Sequence, residues 1–325
     1  MREFEVIERL RRIATAPEAR GLLDDVAVLG DLVITHDSIA EGVHFLPHDP
    51  PASVGWKLVA VNLSDLAAKG ATPAGALLSL TISGPGEWEM DFLGGVEAAC
   101  ESYGLPLIGG DTISLPPGAA RVLGLTAIGR ATAHVPDRAG GESGDLLWLI
   151  GTIGDAAAGL AQLRADGKAT GPLVDIFRRP IPQLEAGRAV APQAHAMMDV
   201  SDGLLLDGKR MAEASRCKMI IDLDRLPLSS AFVAERGQGI SSRLFAATGG
   251  DDYALLAALP ADLDPSTLSL PTRTRITRIG SLAAGEASLS LTQAGEPVEL
   301  PERLGFEHQG TDHRGLPAPP VDDRS

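Results

Sequence analysis

Two cysteines in 325 residues, Cys100 and Cys217, exclude a disulfide framework and offer no zinc-type spacing. Aromatic residues make up only 4%, and 28 Lys and Arg are outnumbered by 43 Asp and Glu, leaving a net charge of −15. A duplex nucleic-acid partner would need a basic stripe against its phosphates, and none is visible. No apolar run approaches the roughly 20 residues of a membrane span. Residues 1–14 carry Phe4, Ile7, Leu10 and Ile13 among charges, which reads as an amphipathic helix and not as the unbroken apolar stretch of a signal peptide. These absences predict a cytoplasmic protein in a reducing compartment. The common phosphate-binding loops are missing too: neither G-x-x-x-x-G-K-[ST] nor a kinase-type glycine loop with its lysine occurs. No Ser-His or Cys-His nucleophile arrangement is evident.

What the chain does have is aspartate in small-residue settings. Nine stand out: Asp24, Asp25, Asp37, Asp65, Asp111, Asp199, Asp202, Asp251 and Asp252. Their surroundings include Asn62-Leu63-Ser64-Asp65, Gly109-Gly110-Asp111, Asp199-Val200-Ser201-Asp202-Gly203 and Gly249-Gly250-Asp251-Asp252. Small neighbours let backbone approach a ligand, and clustered carboxylates repel unless cations hold them together. Hard divalent ions such as Mg²⁺ take oxygen ligands, one or two carboxylates each plus substrate phosphates. Single aspartates also cap helices and fill turns. Asp202 could cap a helix over 203–214, and Asp24 could serve a turn, but capping does not account for the whole set.

The length suits two domains, and 44% apolar residues suit a folded core. Short strands are expected at 26–29 and 32–35, and a helix at 54–68 closed by Gly70. That helix is apolar nearly all round, so it is buried. Asp65 lies on the same side as Leu58, where a lone carboxylate is costly unless paired or metal-bound. Further expectations are a strand at 76–82, a helix at 87–103, a strand at 105–108 running into a Gly109-Gly110 turn, and a strand at 122–128. The segment 136–144 holds Pro, Gly and charges without periodicity, which places a domain boundary at 136/137. Beyond it come strands at 145–150, 219–223, 254–259 and 274–280, and helices at 155–163 and 203–214. Gly249-Gly250 is expected to follow a strand. The Pro- and Asp-rich residues 309–325 read as a disordered tail.

Six motifs in order resemble thiamine-monophosphate kinase. They are Glu41-Gly42-Val43-His44-Phe45, the run from Asn62 to Ala71, Ile108-Gly109-Gly110-Asp111-Thr112, Gly151-Thr152-Ile153-Gly154-Asp155-Ala156, Asp199-Val200-Ser201-Asp202-Gly203-Leu204 and Gly249-Gly250-Asp251-Asp252-Tyr253. That family shares a superfamily with aminoimidazole-ribonucleotide synthetase, selenophosphate synthetase and a hydrogenase-maturation protein. The resemblance implies an α/β (α+β) fold of two domains, 1–136 and 137–308, with an N-terminal mixed sheet that dimerises and a C-terminal α/β domain closing over the site. It also implies ATP-dependent phosphorylation of thiamine monophosphate to thiamine diphosphate with several Mg²⁺ ions, a monovalent cation being an open requirement. By position it implies metal ligands at Asp25, Thr35, His36, Asp37, Asp65, Asp111, Asp199 and Asp202. Gly110, Asp111, Arg138 and Ser201 would contact nucleotide, and His44, Asp251 and Phe306 would face thiamine monophosphate.

Four departures from the family pattern bear on this. Leu22-Leu23 stands where Ile-Gly is usual, His36 where Thr or Ser is usual, Asp251 for Glu, and Ala254 for Glu. The alternatives are another ATP-using superfamily member, of the aminoimidazole-ribonucleotide synthetase type, and a non-catalytic nucleotide-binding relative. A phosphate monoester is already anionic near neutrality, its second pKa being about 6. Such an acceptor needs no general base, which agrees with many aspartates and no nucleophile arrangement, and predicts direct in-line transfer.

Overall fold

The computed structural model describes residues 3–116, 118–131, 134–272 and 274–307, so the expected tail at 309–325 lies outside the described residues. The chain builds two mixed sheets. In the first half, α1 (Glu3–Arg11) precedes β1 (Ala27–Leu29), β2 (Leu32–Ala40), α2 (Pro51–Ala68), β3 (Thr72–Ile82), α3 (Glu87–Tyr103), β4 (Leu107–Ser114) and β5 (Val122–Arg130). The sheet order is β1-β2-β5-β3-β4, with β3 and β4 parallel and the other pairs antiparallel.

The second half comprises β6 (Leu146–Ile150), α4 (Asp155–Ala165), α5 (Pro172–Arg178), α6 (Leu184–Val190), β7 (Ala196–Val200), α7 (Leu204–Ser215), β8 (Lys218–Asp222), α8 (Ser230–Arg236), α9 (Ile240–Thr248), β9 (Ala254–Leu259), β10 (Ile276–Ala283), β11 (Ser288–Gln293) and β12 (Glu296–Val298). Its seven-stranded sheet runs β12-β11-β8-β10-β6-β9-β7. Among the described residues no helix is long and apolar enough to cross a membrane.

Helix α2 joins the halves. It begins at Pro51, a residue whose fixed φ suits the first turn, and ends before Gly70 at φ 62. Its inner residues Leu58, Val59, Leu63 and Leu66 are fully buried. One side packs on β2 and β5, the other on β7, β9 and α6. The strands meeting it alternate as a period of two requires. Met197, Leu255, Ala257 and Leu259 face α2 and share its core, whereas Ala196, Met198, Ala254 and Leu256 point into a separate core. Asp199, two residues after Met197, therefore faces α2.

Two expectations need correction. Gly109-Gly110-Asp111 is not a turn but the middle of β4. Gly110, at φ 155, is required by packing, because a Cβ there would sit 2.0 Å from the Leu78 carbonyl oxygen. Gly249-Gly250 follows helix α9 and not a strand.

Candidate metal and phosphate site

The period of α2 places Asn62, Asp65 and Lys69 along one buried side, and each is satisfied differently. Asn62 Nδ2 donates to the Leu58 carbonyl at 2.9 Å, and its Oδ1 accepts the Asp37 backbone N–H at 2.9 Å. Lys69, fully buried, donates to Asp24 at 2.6 Å and to the Met197 carbonyl at 2.9 Å. Arg20 holds the other oxygen of Asp24 at 2.6 Å. Against a burial penalty that would raise it, Lys69 and Arg20 keep the Asp24 carboxyl below its ordinary range. Asp24 is thus a neutralised anchor that presents its neighbour, Asp25.

Asp25, Asp65 and Asp199 converge, with one carboxylate oxygen from each lying within 4.8 Å of the others. They come from the loop before β1, from α2 and from β7. Thr35 Oγ1 donates to Asp65 and lies 3.2 Å from the Asp25 carbonyl oxygen. Burial, and then Asp37, Asp199 and Asp25, push the Asp65 pKa well above 3.8. Burial and the Asp25 charge do the same to Asp199. Asp37, on the same side of β2 as Thr35, is raised to about 6 by burial and by Asp25 and Asp202. Arg138 is ion-paired with Asp25, yet the second Asp25 oxygen, Oδ2, is buried without a hydrogen-bond partner.

An orphaned carboxylate oxygen beside two buried, mutually repelling carboxylates is an all-oxygen donor set. It fits a hard divalent cation, which would stabilise the ionised forms that burial penalises.

The Asp199-to-Gly203 loop adjoins this group and is held by a residue that its own motif does not include. Asp207, fully buried on α7, accepts the N–H groups of Ser201, Asp202 and Gly203 through Oδ2 at 3.1, 3.0 and 3.2 Å. Its Oδ1 accepts from Arg210 at 2.8 Å, and Arg210 also reaches Asp202 at 2.6 Å. The Asp202 side chain therefore pairs with Arg210 and makes no cap to α7. The loop is lashed in turn to Gly249–Tyr253: Asp251 N–H donates to the Ser201 carbonyl at 2.8 Å and Tyr253 N–H to that of Val200 at 2.9 Å. Phe306 N–H donates to the Asp202 carbonyl at 2.9 Å, which brings the C-terminal segment to the same loop.

Not every expected residue joins this group. The His36 side chain lies on the exposed face of the N-terminal sheet, opposite Thr35 and Asp37, with Nδ1 2.8 Å from Thr126 Oγ1. Asp111 is also displaced. The register runs Asp111–Ser79–Gly124–Ser38, so Asp111 shares that exposed face, three strand spacings or about 14 Å from β2. Asp252 is a structural anchor, accepting the Gly154 N–H at 2.7 Å and the Ala156 N–H at 3.3 Å at the start of α4.

Two departures have a definite place in the structure. Leu23 adopts φ −104, an ordinary right-handed conformation, while Leu22 takes φ 51. Ala254 points into the core on the far side from Asp199, so a carboxylate there would not have joined the three.

Residues 23–131 match the AIR synthase related protein N-terminal domain, and residues 142–288 the corresponding C-terminal domain. Thiamine-monophosphate kinase of Caulobacter vibrioides is 36% identical over 94% of this chain and 90% of that protein. The Escherichia coli K12 enzyme of the same name is 36% identical over 90% of this chain and 92% of its own. The chain belongs to the thiamine-monophosphate kinase family. Among solved structures, AaThiL complexed with AMPPCP and TMP superposes with a TM-score of 0.81 at 30% identity, covering 95% of this chain and 97% of that one.

Within this kinase family member, sequence reasoning missed Lys57, Asp207 and Arg210, and gave Asn62 and Lys69 no role beyond membership of a motif. For Lys57 the available signal was a lysine inside a helix with no polar face, since lysine is almost never fully buried unpaired. Asp207 carried no signal, because its partners are backbone amides of a loop whose shape the sequence does not reveal.

Proposed function

We propose that this protein transfers the γ-phosphoryl group of ATP to the phosphate of thiamine monophosphate, releasing ADP and thiamine diphosphate. The observation that carries this reading is the convergence of Asp25, Asp65 and Asp199 from both halves of the chain, with an Asp25 oxygen left unpartnered. A relative that holds AMPPCP, an ATP analogue, together with TMP supports it.

Asp25, Asp65 and Asp199 would hold Mg²⁺, with Asp37, Asp202, Thr35 and the backbone of His36 around them. Bound Mg²⁺ would supply charge neutralisation and alignment of the two phosphates. Ser201 and Arg138 would meet the nucleotide. Arg138 is already poised on Asp25, and burial, offset by the carboxylates around it, leaves its guanidinium more firmly charged than usual. Asp207 keeps the Ser201–Gly203 amides fixed, so that loop does not reorganise when phosphates arrive. His44, Asp251 and Phe306 would face the acceptor. No residue need take a proton from the acceptor oxygen, since that oxygen is anionic at neutral pH.

Asp111 and Gly110 would reach the site from a second copy of the chain. The exposed face that carries Asp111 also presents Leu77, 40% exposed, and Ile113, 51% exposed. Pairing of this face with its equivalent would cover both and deliver Asp111 in trans.

The test is incubation of the purified protein with ATP, Mg²⁺ and thiamine monophosphate, with products separated by chromatography. Equimolar ADP and thiamine diphosphate, abolished by EDTA, are expected. ATP binding with no diphosphate formed would refute the proposal.

A further inference from the structure

Lys57 stands outside the carboxylate group and has no part in the phosphate chemistry described above. It is 2% exposed, in the N-terminal half of α2. Its ammonium donates to the His44 carbonyl at 3.0 Å and to Asp251 Oδ2 at 3.0 Å, and lies 4.0 Å from the Phe177 ring centroid. A single buried cation thus ties together the turn after β2, the Gly249–Tyr253 loop and α5. Burial of an ammonium is costly without such partners.

The other oxygen of Asp251 is held as well: Tyr253 Oη donates to Oδ1 at 2.9 Å. Both residues adopt left-handed backbone, Asp251 at φ 68 and Tyr253 at φ 52. Non-glycine residues enter that region at a cost of about 1–3 kcal/mol each. Two of them within three positions mark a loop held in an enforced shape. The result is a carboxylate clamped at both oxygens, still 24% exposed, with its orientation set by a lysine in the opposite half of the molecule.

We infer that Lys57 is a positioning residue for the acceptor: it fixes Asp251 and the His44 turn so that they present one surface to the cationic thiazolium end of the substrate. The inference rests on the proposed function, which assigns His44 and Asp251 to the acceptor. The ammonium is spent on Asp251 and the His44 carbonyl, and so serves neither phosphate directly. Its effect is on recognition of the acceptor and leaves the nucleotide untouched.

The test is Lys57→Met, which retains the apolar stem and removes the charge, assayed for KM of each substrate and for thiamine monophosphate binding by calorimetry. The expected result is a rise of about 10-fold or more in KM and Kd for thiamine monophosphate, with KM for ATP within about 2-fold of wild type. Placed on Asp251→Asn, Lys57→Met should add little further, because it acts through that carboxylate. Equal rises in both KM values, or full additivity with Asp251→Asn, would overturn the inference. If Lys57→Met does not fold, Tyr253→Phe removes the other clamp with little change of volume and must raise the same KM; an unchanged value overturns the inference equally. A wild type that turns thiamine monophosphate over while Lys57→Met leaves its KM untouched refutes this inference alone. A wild type that neither binds nor phosphorylates it refutes the proposed function as well.

Discussion

Asp65 and Asp199 belong to different sheets' territories, one on the helix that backs the first and the other on the edge strand of the second. Yet an oxygen of each lies within 4.8 Å of the other and of Asp25. Among the described residues neither carboxylate is ion-paired with a basic side chain; Arg138 is paired with Asp25. Proximity without compensation is an arrangement that costs stability until a cation arrives.

Asp65→Asn separates that cost from its use. Turnover should fall by more than about 100-fold, the usual scale for losing electrostatic stabilisation of a transition state. The melting temperature in EDTA should be equal to or above that of wild type, because a buried repelling charge is gone. Activity close to wild type would make Asp65 a structural residue.

Asp37 contributes to the pH dependence of metal-free stability, in the same direction as the raised carboxyls of Asp65 and Asp199. Its pKa rises from 3.8 to about 6 on folding, so between these values the folded chain binds the extra proton. Stability from this group is therefore full below about pH 4 and is lost as pH rises through about 6. The melting temperature in EDTA should fall from pH 5 to pH 7.5, and Mg²⁺ should flatten or reverse the slope. Asp37→Asn should reduce the slope without metal, the raised carboxyls of Asp65 and Asp199 keeping the remainder. A metal-free protein that gains stability over this range would contradict the sign.

Asp207→Ala strips the acceptor from three consecutive amides and leaves Arg210 with Asp202 as its remaining carboxylate partner. A buried amide left without its acceptor costs about 1–3 kcal/mol, readable as a shifted urea midpoint. Asp207→Asn, which keeps a carbonyl acceptor, should lose less and should raise KM for ATP by loosening the Ser201 loop. A loss below 1 kcal/mol on the scale of an ordinary surface change would mean the loop holds its shape unaided.

The proposed delivery of Asp111 in trans is tested by complementation. Asp111→Asn and Asp65→Asn should each be inactive as homodimers. Mixed and allowed to exchange, they form a heterodimer in which one site carries both native residues, and activity should return. Leu77→Glu, on the same exposed face, should give monomers by ultracentrifugation and abolish turnover. No recovery on mixing would place Asp111 in the site of its own chain or outside the site altogether.

Sequence patterns located elements best where one period dominated. The helix at 87–103 and the strand at 254–259 coincide with α3 and β9. The motif aspartates from β7 and α2 indeed converge. What the sequence concealed was context set at a distance. Gly109-Gly110 reads as a turn because glycine pairs usually are one, but here the requirement comes from the Leu78 carbonyl of the neighbouring strand. The side of β2 on which His36 lies follows from strict alternation with Thr35, and position in a motif does not report it. Lys57 finds its carboxylate in Asp251, in the other half of the chain, and no local window spans that interval.

Helix α2 has one further consequence, in the making of the molecule. Its second side is covered by Met197, Leu255 and their neighbours. On the ribosome Met197 emerges long after α2 itself, by roughly 6–26 seconds at the usual ~5–20 residues per second. The nascent first half must wait with an oily helix half-dressed, a natural client for a chaperone. A chain interrupted before β7 has nothing with which to finish its own interior.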